Sequence, residues 1–330
     1  MTGNNVTLIH VGFCHSGTTS LQRNFFSRRA DIFCCTSVGN CGGIFSLIKY
    51  EENASHVERQ VKLLIDRYVS RKIARGQKLV LSDETLVEQP EIYYTPQKLP
   101  VSVIAQRLKR FFPNAQILFT VRNQFDYVVS CYFNLKRNYA DLANRTMEDF
   151  DAWFAGNHSQ ISNLFLRNLD YSQAIGTFAD VFGKQAVSVL PLEALSMLGE
   201  KGYLTRIGDL LGAEITEVDA RRFEVVRNKR MSRAEDAITT NWRFGAARRS
   251  LNRLVRTYQT CMGEHSPAAV RLTDGQIALI RDRCAEGNRL LQDEFGIDLA
   301  ALGYPSRDPV ERIPVRTEDQ YLPHHMIDAL

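Results

Sequence analysis

Three groups of residues in this chain could do chemistry on a phosphate-bearing molecule. Gly12-Phe13-Cys14-His15-Ser16-Gly17-Thr18-Thr19 lies between a β-rich apolar run and a segment with helical apolar spacing. In that context successive backbone N–H groups and the positive end of a helix dipole converge on one place, and an anion there neutralises them. Arg122 ends a second apolar run, and Ser130 follows eight residues later on the next predicted helix. An Arg fork gives a phosphate two charge-assisted bonds, and a hydroxyl on the following helix adds a third. Between positions 221 and 256 there are eleven Arg and Lys against three acids, a local balance of +8.

The elements that position these groups alternate. Residues 6–12 read as a strand, a helix follows the loop, and a helical stripe over 54–75 delivers the chain to a short strand at 78–82. A helix over 101–112 feeds a strand at 116–121, a helix over 125–135 comes next, and a helix near 160–182 leads into a strand at 186–190. Strands separated by helices of this length predict an α/β fold, a P-loop-like parallel sheet with helices on both faces. A helical C-terminal portion spans about 200–300. Pro305, Pro309, Pro314 and Pro323 mark residues 301–330 as an extended surface tail. The expected organisation is one α/β domain over 1–300 followed by that tail.

The loop differs from the nucleoside-triphosphatase pattern GxxxxGK[ST] at one place. Gly12, Gly17 and Thr19 fit it, but Thr18 stands where the Lys should be. A kinase or ATPase would lose the ammonium that holds its β- and γ-phosphates, so the loop suits a different anion. The segment Cys14-His15-Ser16-Gly17-Thr18-Thr19-Ser20-Leu21 resembles the 5′-phosphosulfate loop of the sulfotransferases, P-K-[ST]-G-T-T-x-L, and Gly12 and Gln22 extend the match to the bacterial and carbohydrate-type branch. Arg122 and Ser130 resemble that family's 3′-phosphate segment. The run from Gly183 to Leu195 is similar to its later strand, in which Glu193 reads as structural.

What the resemblance implies is a sulfuryl transfer from 3′-phosphoadenosine 5′-phosphosulfate (PAPS) to a hydroxyl, less readily an amine, leaving adenosine 3′,5′-bisphosphate (PAP), with no metal. The donor would contact Cys14, His15, Ser16, Gly17, Thr18, Thr19, Ser20, Arg122 and Ser130, and a basic loop containing Arg227, Lys229 and Arg230 would close on the 3′-phosphate. The family's base belongs at the end of a strand beside the first. There Glu84 is the candidate, Asp83 its competitor, and helix capping by Ser82, Asp83 and Glu84 the plainer alternative. His15 replaces the usual Lys, and beside a dianion it is expected to work protonated. The implied acceptor is a small molecule or glycan: a carbohydrate, glycolipid or natural product. Two rival readings are a catalytically weak nucleotide- or polyanion-binding protein of the same fold and a P-loop kinase-like phosphotransferase.

Composition bounds the rest. The chain has 330 residues, 44% hydrophobic and 24% charged, with a net charge of +4, which excludes a disordered chain, a collagen-like fibre and a coiled coil. The charge is too small to indicate nucleic acid, and no stacking-aromatic RNA module is present. No run reaches the 18 or so apolar residues of a membrane helix, and the N-terminus lacks a basic signal region. The seven cysteines include the cluster Cys34, Cys35 and Cys41, which lacks a His pair at zinc-finger spacing; reduced thiols in a cytoplasmic protein are the expectation.

Overall fold

The computed structural model describes residues 7–39, 41–73, 75–87, 98–143, 149–155, 169–223, 233–241, 250–255, 257–258 and 270–307. Its centre is one parallel sheet of five strands: β1 (Thr7–Gly12), β2 (Ile32–Thr36), β3 (Lys78–Ser82), β4 (Gln116–Val121) and β5 (Val187–Pro191), in the order β2-β3-β1-β4-β5. Burial alternates between two cores with the strand period of two. Ile9, Val11, Leu79, Leu81, Ile117, Phe119 and Val121 pack one face against the helices Gly42–Tyr50, Ala54–Leu64, Val101–Phe111 and Tyr171–Phe182. Leu8, Val80, Leu118 and Leu190 pack the other, against Leu21, Phe25 and Phe26 and the helix Ala194–Leu211. Strands covered on both faces read as nearly continuous apolar runs, which is why β1, β3 and β4 stand out in the sequence.

This strand order defines where a ligand can bind. From β1 the chain moves outward to β2, returns to β3, then crosses to the far side of β1 for β4 and β5. A crevice opens at the carboxyl end of β1, where the order reverses. The loop after β1, the turn after β3 and the turn after β4 therefore meet around one opening, their strands about 4.8 Å apart.

Several expectations are corrected. β2 and the helix Gly42–Tyr50 have no counterpart in the sequence reading: the strand is only five residues, Ile-Phe-Cys-Cys-Thr, and the helix opens on two glycines, poor helix formers. The helix expected from 125 to 135 runs over Gln124–Ala143. The helix before β5 begins at Tyr171, where the Asp170 side chain accepts from Ser172 N; residues 156–168 lie outside the described set. Cys35 and Cys41 are not reduced thiols but form a disulfide, because the end of β2 and the start of the next helix bring their Cα atoms to 5.3 Å. Cys14, Cys34, Cys131 and Cys284 remain thiols. Beyond the boundary expected at residue 300, Tyr304 and Pro305 are buried rather than lying on the surface; positions 308–330 are outside the described residues. Among the described residues no helix is long and apolar enough to cross a membrane.

Candidate active site

The loop that follows β1 is held from beneath. Phe13 N donates to Thr120 O at 3.0 Å, so the chain is still paired with β4 as it leaves the sheet. It then turns through two residues of positive φ, His15 at 64° and Gly17 at 84°, into a helical turn that starts at Thr18. The first amides of a helix have no partner inside it, so those at its start are free to bind an anion. Gly12 must lack a side chain: a Cβ there would lie 1.9 Å from Thr18 Cγ2 and 2.8 Å from Thr120 Oγ1. Cys14, His15, Gly17 and Thr19 are half-buried, whereas Thr18 and Ser20 are buried.

Ser16 departs from the expected role. Its hydroxyl is buried, donates to Phe13 O at 2.5 Å and lies 2.8 Å from Thr120 Oγ1, while its amide also bonds Phe13 O. Both polar groups of Ser16 thus serve the loop, and neither is directed at the crevice.

The structure separates the two acids after β3. Asp83 is 1% exposed; its Oδ1 accepts from Thr85 N at 2.9 Å, capping the turn Glu84–Leu86, and its Oδ2 lies 2.8 Å from Lys49 Nζ. Capping was the plainer reading of this segment, and it holds for Asp83. Glu84 instead points to the loop, where its Oε2 accepts from Thr18 Oγ1 at 2.6 Å. Burial raises its pKa above the ordinary carboxylate value; the Thr18 bond opposes that shift and the neighbouring Asp83 charge adds to it. Thr18 Oγ1 engages Oε2, and a carboxylate carries a second oxygen that can accept a further proton.

At the end of β4, Arg122 is half-buried with one weak contact, Nη1 to His15 O at 3.4 Å. Among the described residues no carboxylate forms an ion pair with it, so its guanidinium retains donors for an anion. The backbone of Arg122 and Asn123 is braced by two side chains, one of them held in turn by a third. Tyr171 OH donates to Arg122 O at 2.9 Å, and Asn123 N donates to Glu193 Oε1 at 2.9 Å. Tyr304 OH donates to the other oxygen of Glu193 at 2.7 Å. Glu193 is therefore a brace, as expected, and burial raises its pKa. Ser130 is half-buried in the second turn of the helix Gln124–Ala143.

His15 differs from expectation in the ligand-free chain. Burial, and next the charge of Arg122, lower its pKa to about 4 from 6.5, so the imidazole is neutral at physiological pH. A protonated His15 would require a bound anion to overcome both effects.

Lys49, Tyr171 and Tyr304 belong to this framework and were not found by sequence reasoning. Neither Lys49 nor the two tyrosines lie in a motif. Arg227, Lys229 and Arg230 lie outside the described residues. Among the described residues no group of three or more His, Cys, Asp or Glu side chains is arranged to hold a metal ion.

Two observations suit this site to an anion: a half-buried guanidinium that, among the described residues, has no carboxylate partner, and beside it a loop that turns through two positive-φ residues at the start of a helical turn. No family model and no curated protein sequence matches the chain. A solved sulfotransferase from Alicyclobacillus acidocaldarius aligns with a TM-score of 0.53 at 17% identity, covering 92% of this chain and 100% of that one. A sulfotransferase domain from the curacin biosynthetic pathway gives a TM-score of 0.42 at 13% identity, covering 84% and 96% of the two chains. One from the Synechococcus PCC 7002 olefin synthase gives 0.39 at 16%, covering 84% and 93%. With its single parallel sheet flanked by helices, and its likeness to the Alicyclobacillus structure over nearly the whole length of both chains, this protein has the sulfotransferase fold.

Proposed function

We propose that the chain is a sulfotransferase that moves the sulfuryl group of PAPS to a hydroxyl, less readily an amine, of a carbohydrate, glycolipid or natural-product acceptor. The observation that carries the reading is the 2.6 Å bond between Thr18 and Glu84, which joins the anion loop to a carboxylate at the end of β3. The donor supplies a sulfur already bonded to a good leaving group, so the protein's tasks are positioning, proton removal and charge neutralisation.

Each task has a residue. Glu84 Oε1 takes the acceptor proton while Thr18 holds Oε2, fixing the carboxylate in one orientation. Gly17, Thr18 and Thr19 offer backbone N–H groups to the 5′-side of the nucleotide. Arg122 forks the 3′-phosphate with help from Ser130, and the loop containing Arg227, Lys229 and Arg230 adds charge there. His15 donates a hydrogen bond to the leaving oxygen, and becomes cationic when that side carries its full negative charge.

The test is incubation of the full chain with labelled donor and a panel of hydroxyl and amine acceptors, with Glu84→Gln alongside. Label should enter at least one acceptor, and Glu84→Gln should lower the rate by about 10²- to 10⁴-fold, the usual worth of a general base. Thermal stabilisation by PAP with no acceptor labelled would overturn catalysis in favour of a binding protein. Magnesium-dependent turnover of ATP would point to a phosphotransferase, a reading weakened by the engagement of Asp83 with Lys49.

A further inference from the structure

Beneath the loop a chain of hydrogen bonds crosses three strands. His10 on β1 is fully buried, with Nδ1 2.8 Å from Ser82 Oγ on β3 and Nε2 3.1 Å from Thr120 Oγ1 on β4. Ser82 Oγ accepts from Gln22 Nε2 at 2.9 Å. Thr120 Oγ1 lies 2.8 Å from Ser16 Oγ, which donates to Phe13 O. The ring sits edge-on to Phe26, centroids 5.7 Å apart.

Counting protons gives each bond a direction. A hydroxyl has one hydrogen to donate. Ser16 gives its hydrogen to Phe13 O, so Thr120 must donate to Ser16. Thr120 then has none for His10, so Nε2 must carry the proton and donate to Thr120. Burial holds the ring neutral, which leaves Nδ1 bare to accept from Ser82. Every polar atom is satisfied by one arrangement: Gln22 to Ser82 to His10 to Thr120 to Ser16 to the loop carbonyl.

We infer that His10, locked as the neutral Nε2–H tautomer, is a positioning residue that sets the donor loop through Thr120 and Ser16 and the base-bearing strand end through Ser82. Its two nitrogens have separate duties. The Nε2–H side fixes the floor of the loop, and the Nδ1 side fixes Ser82, two residues before Glu84. The ligand consequences rest on the reading of the loop as a nucleotide site; the tautomer does not.

The two duties can be separated by side-chain geometry. His10→Gln keeps an N–H donor where Nε2 stood, and His10→Asn keeps an acceptor where Nδ1 stood. His10→Asn should weaken PAP binding about 10-fold, the effect of a buried partner lost, while His10→Gln binds within about threefold of the parent and loses mainly kcat. Equal losses of PAP affinity in both variants would overturn the division of roles. Independently, ¹⁵N-histidine NMR of the full-length parent should show a pyrrole-type Nε2 and a pyridine-type Nδ1 for His10, unchanged from mildly acidic to neutral pH. A pyrrole-type Nδ1, or an imidazolium at neutral pH, would overturn the assignment. If the parent binds no PAP, the nucleotide reading fails, and the NMR result still decides the tautomer.

Discussion

Lys49 Nζ and Asp83 Oδ2 lie 2.8 Å apart with side chains 6% and 1% exposed, one residue from the Glu84 carboxylate. A buried pair of this kind is balanced only while both members are present. Lys49→Met should therefore lower the unfolding free energy by about 3–5 kcal/mol, measured by urea denaturation. Adding Asp83→Asn should recover much of that loss, since the stranded charge is then gone.

The same variant has a kinetic signature. The Asp83 charge already contributes to the raised pKa of Glu84, and removing Lys49 leaves that charge uncompensated. The acidic limb of the kcat/KM profile should move to higher pH in Lys49→Met.

Glu84 must be ionised to act as a base, so the rate should rise with pH through its pKa, which burial places above 4.5. Thr18→Val removes the hydrogen bond that favours the carboxylate, and the limb should shift further upward. The stability sign is opposite: a carboxyl whose pKa is raised on folding contributes its full stability below the unfolded value and loses it as pH rises through the folded one. Thr18→Val should accordingly lose more stability at neutral than at acidic pH, as read by melting temperature.

Replacing the Arg122 fork tests the anion site. Arg122→Lys keeps charge but loses the paired donors, and should weaken PAP binding by about 1.5–3 kcal/mol, roughly 10- to 100-fold by calorimetry. Its melting temperature should stay near that of the parent because the backbone braces at Arg122 and Asn123 are untouched.

Gly12→Ala puts a methyl where Thr18 Cγ2 and Thr120 Oγ1 already stand. Overpacking of this degree costs about 1–3 kcal/mol. Because relief requires moving the Thr18 turn, PAP binding should fall more steeply than stability.

Tyr304→Phe removes one of the bonds that satisfy the half-buried Glu193 carboxylate. The cost, about 1–3 kcal/mol, falls on the charged form. It should be small at acidic pH, where Glu193 is protonated, and reach its full size as pH rises past the raised Glu193 pKa.

The legible parts of this molecule were those where local sequence and final environment agree. Apolar runs buried on both faces mark β1, β3 and β4 in the sequence, and the Gly-Thr-Thr turn marks the start of the helical turn after β1. Tertiary contacts decided the rest. Ser16 carries the residue type expected of a ligand contact, yet Thr120 and Phe13 draw it inward. Lys49 is a lone lysine in the sequence, and only the fold brings its ammonium to Asp83 at the end of β3. A protonated His15 depends on an anion beside it, whereas burial and the charge of Arg122 favour the neutral ring.

The weave around Asn123 bears on how the chain is made. Asn123 Nδ2 donates to Gly303 O at 2.6 Å, Tyr304 reaches Glu193, and Asn288 Nδ2 donates to Pro305 O at 2.9 Å while also bonding Gln124. Synthesis runs from the N-terminus, so every strand and the loop after β1 leave the ribosome well before these partners exist. A nascent chain can complete its sheet early, but the turn presenting Arg122 acquires its last braces only when residues 303–305 emerge. Full bracing of the turn that carries Arg122 is thereby tied to synthesis of residues 303–305, and a chain cut short of them yields a sheet whose Arg122 turn lacks these bonds.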